Sequence, residues 1–137
     1  GGRTAAPSAA RHAVTVMGKT LNAALVDEVR RRLREIRGRL HRTAATTDEE
    51  LRTLETHQPG GPAEDVARES VATLLSRLSV QEKRELDEVY AAQARLETGT
   101  FGICEGCGRS VPLARLRAMP AARTCVACEA REEERAR

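Results

Sequence analysis

From Val26 onward, apolar residues recur at intervals of three and four: Val26, Val29, Leu33, Ile36 and Leu40. That heptad spacing lays one apolar stripe along one side of an α-helix. The other positions are mostly charged, with Arg30, Arg31, Arg32, Arg34, Arg37 and Arg39 prominent. Glu28–Arg32 and Glu35–Arg39 are i,i+4 pairs in the favourable order. Beyond Leu40 the stripe resumes as Ala44, Thr47, Leu51 and Leu54 only with one residue of offset, as in a stutter. The pattern predicts one long helix, weak or bent around residues 43–47. Thr47-Asp48-Glu49-Glu50 also has the form of a capping box that would start a fresh helix.

Gln58-Pro59-Gly60-Gly61-Pro62 is the strongest breaker in the chain. Pro62 is suited to the first turn of a new helix, and Glu64 and Asp65 follow it there, where acids complement the helix dipole. A second stripe then runs from about residue 63 to 98: Ala67, Val71, Leu74 and Leu78, then Leu86, Val89, Gln93 and Leu96. Ser79-Val80-Gln81-Glu82 is another capping box, so a local irregularity is expected there. Gly99 supplies a C-cap. Neither helix can bury its stripe alone, so each is the other's main partner. The expected fold is all-α: an antiparallel helical hairpin of coiled-coil type over residues 19–98, its tip near 57–67. A small C-terminal zinc-ribbon-like finger with four cysteines follows at 99–129. Residues 130–137 read as a short exposed helical tail. Residues 1–18, with no apolar period, read as a disordered tail.

Composition supports long helices over a thick core. Only 1% of residues are aromatic while 31% are charged, and aromatic side chains dominate ordinary cores. Tyr90 and Phe101 are therefore expected to be packing anchors. The net charge of +3 is too small to choose a partner, and aromatic residues for stacking on bases are scarce. The run Val14-Thr15-Val16-Met17 is too short for the apolar centre of a secretory signal, and nothing approaches a membrane span. The expected compartment is the cytoplasm. No nucleophile–base set, phosphate loop or open metal site points to an enzyme.

The four cysteines change the picture most. Cys104 and Cys107 form one Cys-x-x-Cys pair, Cys125 and Cys128 another, separated by seventeen residues. Two such pairs at this distance are typical of a zinc site. Gly102, Gly106 and Gly108 surround the first pair, where the backbone must fold back on the sulfurs. Four thiolates close the coordination shell and leave no position for a substrate water, which makes one structural Zn2+ the expected cofactor. Such a module is too small to fold alone, so metal binding would supply its folding energy. The competing readings are two disulfides or a redox-active pair; the latter needs a reactive thiolate on a β-α scaffold, and no such scaffold is visible.

Gly99-Thr100-Phe101-Gly102-Ile103-Cys104-Glu105-Gly106-Cys107-Gly108, then Val111-Pro112, Arg115-Leu116, Ala118, Pro120 and Cys125-Val126-Ala127-Cys128, closely resemble the zinc-finger signature of the DksA/TraR family. The dense resemblance covers residues 98–129, and an upstream helical hairpin is similar to the longer members. The resemblance implies a non-enzymatic bacterial transcription regulator. It would bind RNA polymerase in its secondary channel, hairpin tip toward the active site, often together with ppGpp. It also implies that the partner-binding tip residues are Glu64, Asp65 and Ala67. The family's acidic tip motif is Asp-x-x-Asp-x-Ala. Asp65-Val66-Ala67 matches its second half, while its first acid falls at Pro62, and Glu64 offers a charge on a different side of the helix.

Three features have plainer readings as well. Glu64 and Asp65 serve a helix dipole equally well. The Arg30–Arg42 cluster reads as a solvated helix face more readily than as a contact to nucleic acid or acidic protein. His57, with no second ligand fixed near it, reads as a solvated loop residue. The alternative to a polymerase-binding regulator is a zinc module that binds nucleic acid directly through Arg109, Arg115, Arg117 and Arg123, which would show as salt-dependent DNA affinity.

Overall fold

The computed structural model describes residues 14–16, 19–58 and 65–136. Most of the expected breaker (residues 59–62), Glu64 and most of the expected N-terminal tail lie outside the described residues. The elements in chain order are strands β1 (Val14–Val16) and β2 (Lys19–Leu21), then helices α1 (Ala23–Ala44), α2 (Asp48–Thr56), α3 (Asp65–Leu75), α4 (Val80–Thr98), α5 (Leu113–Ala118) and α6 (Val126–Arg135). β1 and β2 pair antiparallel, with Thr15 opposite Thr20. Disorder expected over residues 1–18 therefore does not extend through Val14–Val16: the alternating Val-Thr-Val suits a short strand once a partner strand is present. Apart from this pair and one isolated bridge in the finger, the described regular structure is helical.

The chain divides into two compact units, residues 34–90 and the remainder, with the boundary inside α1 and inside α4. In the 34–90 unit, Leu40, Ala44 and Leu54 of the first limb join Val71, Leu74, Leu78 and Leu86 of the second in one apolar cluster, flanked by Ile36, Ala45, Leu75 and Tyr90. Cross-limb contacts run in opposite sequence directions. Arg39 bonds Glu85 at 3.0 Å, and Arg77 reaches both Ala44 and Glu50. The two limbs are therefore antiparallel, and the hairpin is held by the stripes that the spacing marked.

Neither limb is a continuous helix. α1 ends at Ala44, and Thr47 starts α2 as its N-cap, accepting from the Glu50 amide at 3.1 Å. The long helix expected to be weak or bent near 43–47 is thus two helices, because the capping box outcompetes continuation through three consecutive β-branched or small residues. In the second limb the interruption falls at Ser76–Ser79. The Ser79 hydroxyl accepts from the Glu82 amide at 3.1 Å, and the Glu82 carboxylate accepts from the Ser79 amide at 2.9 Å. This is the reciprocal capping box expected there.

In the other unit, α1 contributes Leu25, Val26, Val29 and Leu33 to the buried set, α4 contributes Ala92 and Leu96, and the finger contributes Phe101, Val111 and Leu116. Asn22, unremarked in the spacing, caps α1 by accepting from the Ala24 amide at 2.7 Å. α4 closes on Gly99, whose φ of 79° is left-handed, while the Thr100 amide bonds the Arg95 carbonyl at 3.0 Å. That is the glycine-terminated helix end expected. Arg32 of α1 donates to the Arg117 carbonyl in the finger.

Candidate metal centre

The chain leaves α4 at Gly99 and enters a tight β-like loop. The Cys104 amide bonds the Arg109 carbonyl at 2.8 Å, the Val111 amide bonds the Gly102 carbonyl at 2.7 Å, and Ile103 bridges Ser110. Gly102 (φ 84°) and Gly108 (φ 74°) take the left-handed conformations that let the loop close on itself. Gly106 serves by its missing side chain: a Cβ there would lie 2.9 Å from the Cys128 sulfur and 3.0 Å from the Cys128 Cβ. The second pair sits differently. Cys125 is the N-cap of α6 and Cys128 lies in its first turn, so both sulfurs stand at the positive end of a helix, which favours thiolate. The expected division between a finger ending at 129 and a separate tail from 130 falls inside α6. The helix runs through it because nothing in Glu129-Ala130-Arg131-Glu132 breaks a helix.

The two halves are tied by the Glu105 amide bonding the Arg123 carbonyl at 2.9 Å, and by the Cys125 amide bonding the Cys104 sulfur at 3.3 Å. Arg115 of α5 donates to the Thr124 carbonyl at 2.8 Å and pairs with Glu129 of α6. The result brings all four sulfurs within 4.8 Å of one another. Cys104 and Cys125 sulfurs are 3.8 Å apart, and Cys107 and Cys125 sulfurs 4.0 Å. A tetrahedral zinc with Zn–S bonds of about 2.3 Å requires sulfurs about 3.8 Å apart. A disulfide would need about 2.05 Å, and none of the four cysteines forms one. They converge on a single point, as one ion requires, and the disulfide reading falls away.

The protonation pattern fits the same donor set. Burial pushes the Cys104 thiol up, but the amides of Cys125, Cys107 and Gly106 outweigh it and hold the thiol at about 6. The Cys128 amide lowers Cys125. Cys128 is pushed up to about 11, first by burial and then by the sulfurs of Cys125 and Cys104. Four adjacent thiols resist ionising together, whereas a divalent cation at their centre favours thiolate in all four. Arg131, one helical turn after Cys128, donates to the Cys128 sulfur at 2.9 Å, a supporting contact that the cysteine spacing did not reveal.

Asp65 is the first residue of α3, Ala67 lies two residues on and is exposed, as is Val66, and Glu64 lies outside the described residues. Two residues that the pattern passed over stand out in the hairpin. His41 is only 2% exposed, and its Nε2 lies 2.8 Å from the Tyr90 hydroxyl. Arg77 bridges the limbs. Nothing in the apolar spacing marks Arg77, while His41 was legible only as a neighbour of the Leu40–Ala44 stripe. No described helix is long and apolar enough to cross a membrane.

A short helical hairpin together with a closed four-cysteine site defines a zinc-finger protein whose metal is structural. The profile described as "Prokaryotic dksA/traR C4-type zinc finger" matches residues 99–134. An uncharacterised protein of Aquifex aeolicus is 33% identical over 117 residues, 84% of this chain and 80% of that one. The RNA polymerase-binding transcription factor DksA of Haemophilus influenzae is 31% identical over 74 residues, 54% of this chain and 51% of that one. The chain thus spans about half the length of that named relative. The solved structure of transcription factor DksA2 from Pseudomonas aeruginosa is 29% identical, with 81% of each chain covered and a TM-score of 0.49. The chain belongs to the DksA/TraR zinc-finger family, and its cofactor is one structural zinc ion.

Proposed function

We propose that this chain is a non-enzymatic regulator of transcription that binds RNA polymerase through the secondary channel, with the hairpin tip directed at the active site. Cys104, Cys107, Cys125 and Cys128 are the four zinc ligands, and Glu64, Asp65 and Ala67 are the tip residues that meet the partner. The observation that carries the reading is the 31% identity to a polymerase-binding factor in a chain that also has that family's finger and an antiparallel hairpin with its own apolar cluster. A closed thiolate site has no open coordination position for chemistry, so the output comes from binding. Asp65 opening α3 and the exposed Ala67 suit a contact surface.

The test is the lifetime of open promoter complexes with and without the zinc-loaded protein. The wild type changes the lifetime, and a Glu64→Gln, Asp65→Asn double variant that still binds polymerase does not. A double variant as active as the wild type would remove the tip acids from the proposal.

A further inference from the structure

Both limbs of the hairpin are interrupted at the same level. In the first limb the helix stops at Ala44 and restarts at Asp48; in the second it stops at Leu75 and restarts at Val80. A single break is splinted by an intact neighbouring helix. Here, within the 34–90 unit, no described helix crosses the level, and the backbone ladder that resists bending is interrupted on both sides.

Arg77 spans the gap, beside Leu78 of the same interruption, which lies in the apolar cluster. Arg77, in the interruption of the second limb, donates from Nη1 to the carbonyl of Ala44, the last residue of α1, at 3.0 Å. The same guanidinium pairs with both carboxylate oxygens of Glu50, in the first turn of α2, at 2.8 and 3.1 Å. Glu50 in turn accepts from the Thr46 amide at 2.9 Å and the Thr46 hydroxyl at 2.7 Å. Arg77 therefore grips the chain on both sides of the opposite break from within its own. The planar fork fits the carboxylate in a way that an ammonium could not. Arg77, then the amide and hydroxyl of Thr46, hold the Glu50 carboxyl down at about 2, so the pair stays charged across the ordinary pH range.

We propose that the paired interruptions form a hinge, and that Arg77 with Glu50 is the latch that fixes the direction of the outer helices α2 and α3 against the inner segments 34–44 and 80–90. Hinges are a few element-terminal residues that absorb backbone rotation, and both breaks consist of such residues. Leu54, Val71 and Leu74 on the outer side and Leu40, Ala44 and Leu86 on the inner side keep the limbs paired, so releasing the latch frees direction without unfolding. The hinge is the same whichever partner the outer segment meets.

Residual dipolar couplings of backbone amides in the full zinc-loaded chain test it, because they report helix direction and not merely capping. In the wild type, couplings from residues 34–44, 48–56, 65–75 and 80–90 fit a single alignment tensor. In Arg77→Met, which keeps an apolar stem and removes the fork, the outer residues require their own tensor with reduced order, while helical circular dichroism is retained. Arg39→Met, which removes the Arg39–Glu85 pair below the breaks, still fits one tensor. A single tensor for Arg77→Met, or two tensors already in the wild type, overturns the latch. If Arg77→Met does not fold, Glu50→Gln, which keeps an acceptor for Thr46, is measured in the same way and decides by the same criterion.

Discussion

At the scale of single residues, the metal centre is set by what is missing as much as by what is present. The cysteine spacing marked the four sulfurs that converge, and the three surrounding glycines were legible as loop-formers. What the spacing did not show is that they serve differently. Gly102 and Gly108 are needed for their left-handed φ, and Gly106 for the room it leaves beside Cys128. A methyl group at 106 meets the sulfur and Cβ of Cys128, neither of which can withdraw without distorting the tetrahedron. Gly106→Ala is therefore expected to lower zinc affinity by about tenfold to a hundredfold, the scale on which supporting residues act at metal sites. Competition with a chromophoric chelator reads the change, and an unaltered affinity would show that the two knuckles can move apart freely.

At the scale of elements, the sequence was most readable where apolar spacing was unbroken and least where polar residues decided the outcome. Val26, Val29, Leu33, Leu40, Leu54, Val71, Leu74, Leu78, Leu86, Val89 and Leu96 all lie buried as the stripes predict. Thr47 and Ala67 do not, being exposed, because the first became a helix cap and the second lies at the exposed start of α3. The break at 45–47 was legible only as a competition between helix continuation and capping, which a side chain from the other limb, Arg77, helps to decide. His41 shows the same limit, since its partner Tyr90 is 49 residues away. Its buried Nδ1 has no hydrogen-bond partner. Burial, then the charge of Arg37, holds its pKa below 6.5; Glu55 opposes and His57 adds to the lowering. As pH falls below 6.5 the unfolded chain takes up this proton before the folded one does, so stability drops toward acid and recovers as pH rises. The urea midpoint of hairpin unfolding should be lower at pH 5 than at pH 7.5, and His41→Gln should flatten that difference. The Glu50 contribution, fully present above 4.5 and lost as pH falls toward about 2, lies outside this window. An equal slope in the variant would assign the pH dependence elsewhere.

At the scale of the whole molecule, the finger and the hairpin rest on different physics. From residue 99 onward the finger buries few large side chains of its own besides the cysteines, Phe101, Val111 and Leu116, and its two knuckles meet where the thiolates do, so the metal supplies what the small core does not. The hairpin holds by its own apolar cluster and cross-limb pairs. The proposed partner is a polymerase, whereas the residues alone leave the choice open between a polymerase and a nucleic acid. The measurement that separates these most directly is binding of the zinc-loaded chain to bacterial core RNA polymerase, set beside binding to promoter DNA alone across a range of salt. A saturable complex with the core enzyme and no comparable affinity for bare DNA is the expected result. Tight, steeply salt-dependent DNA binding with no polymerase complex would contradict it, and would make the finger's arginines the functional surface.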